Sequence, residues 1–131
     1  MWKIVVLFFS LSAFAGPFED FGSKEGLVKV VDDTMINLLA DSRTKPFFEK
    51  ADQTRIKEKL VEQFCAELGG PCTYTGQPMN RAHKGHDINS AHFYALVESL
   101  QKAMDKNKIP QRAQNKLLAK LAPMHKDIIN K

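Results

Sequence analysis

Cysteine is scarce in this sequence: Cys65 and Cys72 are the only two in 131 residues. Neither has a partner at two-residue spacing, which excludes a paired-thiolate metal clasp. Cys-x-x-Cys-His is missing, which excludes covalent c-type haem attachment. No apolar run reaches the length that crosses a bilayer comfortably as a helix. Charge of one sign is also missing. Lys and Arg number 19 against 15 Asp and Glu, a formal net charge of +4, and the lysines are interleaved with acids rather than gathered into a stripe. That pattern excludes a nucleic-acid backbone as partner and describes a solvated surface. β-Type alternation never persists, and there is no internal repeat or low-complexity tract.

What is present amounts to one domain. The length allows a single core, and 44% hydrophobic with 26% charged residues is ordinary for a soluble globular protein. Residues 1–15 differ in kind. Met1-Trp2-Lys3 forms a short positive head, Ile4 to Leu11 an uncharged apolar stretch, and Ala13-Phe14-Ala15 a small-x-small cleavage pattern. This reads as a signal peptide over 1–15. Cleavage before Gly16 leaves a domain at 16–131, periplasmic or secreted, with no stable membrane insertion afterwards. An even cysteine count in an oxidising compartment permits a bridge. Gly69-Gly70-Pro71 can fold Cys72 back toward the helix bearing Cys65, closing a small loop. A disulfide and two free buried thiols both stay open.

The spacing predicts helices throughout, hence an all-α fold. Leu27, Val30, Val31, Met35, Leu38 and Leu39 share one helical stripe, interrupted by Asp41-Ser42 and Pro46. Phe47 and Phe48 follow in a short turn. Asp52 or Thr54 can cap the next helix, whose face is Ile56, Leu60, Val61, Phe64 and Leu68. Gly69-Gly70-Pro71 ends it. A brief helix runs from about Met79 to Lys84, stopped by Gly85. Asn89 or Ser90 caps a long helix with Phe93, Leu96, Val97, Leu100, Ala103 and Met104 inward. After Pro110 the last helix carries Leu117, Leu118, Leu121 and Ile128, with a kink expected at Pro123.

Four histidines, His83, His86, His92 and His125, are available for metal or acid–base chemistry, and position alone singles out none. The order of several landmarks says more. They begin with Phe18-Glu19-Asp20-Phe21-Gly22, Val30-Val31-Asp32-Asp33, Leu39-Ala40-Asp41-Ser42-Arg43 and Pro46-Phe47-Phe48. The most distinctive run is Leu68-Gly69-Gly70-Pro71 followed by Tyr74-Thr75-Gly76. Met79, Ala82, His83 and Gly85 come next, then His92-Phe93 and Leu121-Ala122-Pro123. Over residues 18–129 this series resembles a group I truncated haemoglobin.

The resemblance implies a truncated globin fold, a two-over-two helical sandwich around haem b. It makes His83 the iron ligand, with the second ring nitrogen donating to a backbone carbonyl. Phe48 packs on the porphyrin, and Met79, Ile88, Phe93 and Val97 line its slot. Tyr74 reaches a propionate, with Arg55 or Lys57 as a cation there. His86 and His92 are structural or exposed, and His125 is exposed. Where the family has paired glycines in its opening turn, this chain has Gly22-Ser23.

A second departure bears on chemistry. The family's distal tyrosine position is Met35 here, and the two facing helical positions are Ile56 and Leu60, one of which is glutamine in many relatives. Dioxygen takes up negative charge on a ferrous haem, and a hydrogen bond to such charge is worth about 1.5–3 kcal/mol. Met35, Ile56 and Leu60 donate none. The distal pocket is therefore expected to be apolar, with weak oxygen retention and five-coordinate ferrous iron. Gln63 and Thr34 are possible substitute donors, and both are read as facing elsewhere. The function implied is reversible binding of diatomic gases (oxygen, nitric oxide, carbon monoxide) without catalysis. A nitric oxide dioxygenase or peroxidase-like enzyme is the alternative, requiring an electron-donor protein and, for peroxidase chemistry, a distal acid–base group. A haem-free helical interaction protein is a third reading.

Overall fold

The computed structural model describes residues 3–6 and 16–131. Residues 3–6 form no regular element and are exposed, and the rest of the segment read as a signal peptide lies outside the described residues. Among the described residues there is no strand and no helix long and apolar enough to cross a membrane. The helices are α1 (Pro17–Asp20), α2 (Ser23–Ala40), α3 (Lys45–Phe48), α4 (Gln53–Glu67), α5 (Met79–Ala82), α6 (Ser90–Lys106), α7 (Gln111–Leu121) and α8 (His125–Ile128).

The four long helices α2, α4, α6 and α7 make the sandwich. α2 packs on both α4 and α6, α4 also meets α7, and α1 lies against α7. The predicted stripes meet at the centre. Leu27, Val30 and Val31 of α2 pack with Val61, Phe64 and Cys65 of α4, Leu100, Ala103 and Met104 of α6, and Leu117 of α7. Burying one such side chain contributes about 1.5–3 kcal/mol, so these stripes outweigh weak local preferences. Their shared burial fixes which face of each helix looks inward.

The opening turn keeps a left-handed path through both residues, with Gly22 at φ 84° and Ser23 at φ 58°. Serine there accepts a backbone state that glycine would adopt freely. At Gly26 a side chain would overlap the carbonyl oxygen of Phe21, so its absence lets α1 close onto α2. Of the two cap candidates before α4, Asp52 takes the role, its carboxylate accepting the Arg55 amide at 3.1 Å. Before α6 the cap is Asn89, which accepts the His92 amide at 2.9 Å while its own amide donates to His92 Nδ1 at 3.2 Å.

Cys65 and Cys72 are joined as a disulfide with their Cα atoms 5.8 Å apart. The bridge fastens the loop after α4 to the core. Pro123 does more than kink the last helix. α7 stops at Leu121, a 3-10 turn spans Ala122–Met124, and α8 resumes for one turn, because proline has no amide to continue the ladder. α8 packs against α5, and the chain beyond it folds over the following loop. The Gly85 amide donates to the Lys131 carbonyl at 2.9 Å and the Asn130 amide to that of Ile88 at 2.8 Å.

Candidate functional site

A cavity of about 450 Å³ opens between α3 and α4 on one side and α5, α6 and α8 on the other. That is the size range of small-molecule and cofactor sites. The stripes of α4 and α6 supply much of its wall. Ile56, Leu60 and Phe64 come from α4; Phe93, Leu96 and Val97 come from α6. Met79, Ile88, Met124 and Ile128 close it from the side of α5 and α8, and Phe47 and Phe48 from α3.

His83 follows directly on α5 and faces this cavity, half-buried. Its Nδ1 lies 2.7 Å from the Met79 carbonyl oxygen. A carbonyl can only accept, so Nδ1 carries the proton and Nε2 keeps its lone pair. Burial pushes the imidazole below its ordinary range; the Met79 carbonyl opposes this, and His86 adds to it. The ring is therefore neutral at neutral pH, the form that ligates metals.

The structure gathers Phe48, Tyr74, Met79, His83, Ile88, Phe93 and Val97 around one cavity. Of the expected distal residues, Ile56 and Leu60 line it as well, but Met35 does not. Met35 is only 4% exposed and is buried in the protein away from the wall. Thr34 is also off the wall; its hydroxyl donates to the Val30 carbonyl at 2.7 Å inside its own helix. Gln63 corrects the expectation that it faces elsewhere. It lines the cavity, with Nε2 3.3 Å from Met124 Sδ and 3.6 Å from Met79 Sδ.

The polar rim differs from expectation in two places. Tyr74 is at the wall, but its hydroxyl donates to the Gln77 carbonyl at 2.7 Å, which uses its one proton. Burial raises its pKa, and the Glu62 charge adds to that. Arg55 and Lys59 line the cavity, whereas Lys57 pairs with Asp32 at 3.0 Å. His86 is exposed at the wall. His92 lines it too, packing edge-on against Phe47 with ring centroids 4.8 Å apart. His125 is half-buried rather than exposed. It bonds Ser90 Oγ through Nε2 at 3.0 Å, meets Phe93 edge-on and stacks on Tyr94. Sequence reasoning missed Phe47, Leu96, Met124 and Ile128 as wall residues. For Leu96 the signal was present, since it shares the α6 stripe with Phe93 and Val97.

The fit to a porphyrin rests on the donor set. Among the described residues no cluster of three or more His, Cys, Asp or Glu could hold a bare metal ion. A single neutral imidazole at an apolar cavity of this size, with the cations Arg55 and Lys59 on its wall, suits an iron already held by a macrocycle.

A helical sandwich enclosing such a cavity defines the class: a haem-binding globin, with haem as its cofactor. The chain belongs to the bacterial-like globin family, whose model matches residues 17–130. It is similar to the group 1 truncated hemoglobin GlbN of Mycolicibacterium paratuberculosis, 34% identical over 114 residues, covering 87% of this chain and 84% of that one. It is 27% identical to the group 1 truncated hemoglobin of Tetrahymena pyriformis over 87% of this chain and 94% of that protein. A crystal structure of the Tetrahymena pyriformis truncated hemoglobin in its Fe(III) form superposes with a TM-score of 0.84 at 26% identity. The match covers 89% of this chain and 100% of that one.

Proposed function

We propose that this globin reversibly binds diatomic gases at a haem b whose iron is ligated by His83. The observation that carries the reading is the bond from His83 Nδ1 to the Met79 carbonyl at 2.7 Å. It fixes the tautomer and leaves Nε2 as the coordinating atom. Phe48, Met79, Ile88, Phe93 and Val97 hold the macrocycle by apolar contact, and Arg55 and Lys59 serve its propionates, the Tyr74 hydroxyl being held by Gln77. Haem, when bound, supplies an iron with one position open to a gas.

Ile56 and Leu60 wall the distal side and offer neither a hydrogen bond nor a proton. This favours gas binding over nitric oxide dioxygenation, which needs a retained oxygen, and over peroxidase chemistry, which needs an acid–base group. Reduction of the iron calls for an electron-donor protein. We further infer that the protein works in the periplasm or outside the cell. The pattern of residues 1–15 supports this, as does the Cys65–Cys72 disulfide, a bond rare in reducing compartments.

The test is an absorption spectrum of the purified protein in ferric, ferrous and carbonyl forms beside a His83→Ala variant. The reading requires a Soret band and a five-coordinate ferrous spectrum, both lost or altered with the imidazole. Equal haem uptake by the variant would overturn it.

A further inference from the structure

We propose that Gln63 is a positioning residue for His83, acting through Met79. The inference rests on the reading of His83 as the iron's ligand. Gln63 is 8% exposed and sits in an otherwise apolar stretch of the cavity wall. Its carboxamide faces the thioethers of Met124 at 3.3 Å and Met79 at 3.6 Å. Sulfur there can only accept, so the NH₂ end faces them. This holds α4 to the first residue of α5 on one side and to the turn before α8 on the other.

Met79 is joined twice. Its sulfur meets Gln63, while its carbonyl oxygen takes the ring proton of His83 at 2.7 Å and the His83 amide at 3.2 Å. α5 has four residues and no buried side chain, so it cannot hold its own geometry. Whatever restrains Met79 therefore restrains the rotation of the imidazole. A leucine at position 63 would fill the same space and suit the same surroundings, yet nothing would grip the sulfur. The amide is placed where it steadies the residue on which the histidine leans.

The variants are Gln63→Leu, which removes the donor, Met79→Leu, which removes the acceptor and keeps the carbonyl, and the double variant. In the haem-free chain, NMR follows exchange of the His83 Nδ1 proton. In the loaded ferrous protein, resonance Raman follows the iron–histidine stretching band, and transfer to apomyoglobin follows haem loss. Each single variant is expected to speed ring-proton exchange, shift and broaden the band, and accelerate haem loss about tenfold. The double variant should go no further than either single one. An unchanged ring proton and band in a folded Gln63→Leu protein would overturn the proposal, as would additive effects. If the parent protein takes up no haem, the reading of His83 fails instead, and the ring-proton measurement still decides the role of Gln63.

Discussion

Thr75 is held by Glu62: its backbone amide donates to a Glu62 carboxylate oxygen at 2.9 Å, and its hydroxyl bonds the same group. Lys59 reaches both partners, at 3.3 Å to Glu62 and 2.6 Å to the Thr75 hydroxyl. The loop that carries Tyr74, Gly76 and Gln77 to the cavity is thereby fastened to α4 at a second point, beyond the Cys65–Cys72 bond.

That clamp has a pH dependence of known sign. Hydrogen bonds from Thr75, then Lys59, hold the Glu62 carboxyl below its ordinary value of 4.5, outweighing partial burial. A depressed folded-state pKa means the stabilisation is complete above the unfolded value and is lost as pH falls through the folded one. Protection of the Thr75 amide in hydrogen exchange should fall below about pH 4.5. In Glu62→Gln that acid step should be absent.

The disulfide should be worth roughly 2 kcal/mol, the chain-entropy figure for so short a loop, given a sequence separation of 7. Reductant is expected to lower the urea midpoint accordingly. Cys72→Ser should show the lowered midpoint without reductant and no further change with it. An unmoved midpoint would mean the sulfurs are not bonded in solution.

Restoring a distal donor should change gas retention. Leu60 lines the cavity, and Leu60→Gln offers an amide at that wall. A hydrogen bond to a charged partner is worth about 1.5–3 kcal/mol, so oxygen should leave roughly tenfold to hundredfold more slowly. Carbon monoxide release, followed by displacement with excess nitric oxide, should change much less.

Ser23 sits at φ 58° beside Gly22. A left-handed residue other than glycine costs about 1 kcal/mol, part of which glycine returns through its freer unfolded state. Ser23→Gly should therefore raise the thermal midpoint slightly, with the haem spectrum unchanged. A lowered midpoint would show that the serine hydroxyl contributes something the backbone does not reveal.

Much of this molecule was legible before its structure. Apolar spacing on α2, α4, α6 and α7 located the core, because burial of those stripes dominates the energetics. Side-chain chemistry announced two helix starts, at Asp52 or Thr54 and at Asn89 or Ser90, and the structure gives the caps to Asp52 and Asn89. The residues placed around a haem by family resemblance share one cavity, apart from Met35 and Lys57. What spacing could not give was direction at the ends of the stripes. Met35 and Thr34 lie on the inward face of α2, yet which buried face meets core and which meets cavity depends on how α2 crosses its neighbours. Gln63 was misjudged because polarity argues for solvent, while two thioethers from distant segments give its amide an acceptor inside. His125 likewise depends on Ser90, 35 residues earlier. Pairings over such separations leave no local trace.

The last residues have a practical bearing. The Lys131 carbonyl and Asn130 amide are bonded to Gly85 and Ile88, within five residues of His83. A purification tag fused after residue 131 would begin beside the turn that presents the imidazole and compete for the Gly85 amide and the Ile88 carbonyl. Tagging at the opposite end, ahead of Pro17, avoids that interference, and spectra of the two fusions would report how tightly the final residues grip the pocket.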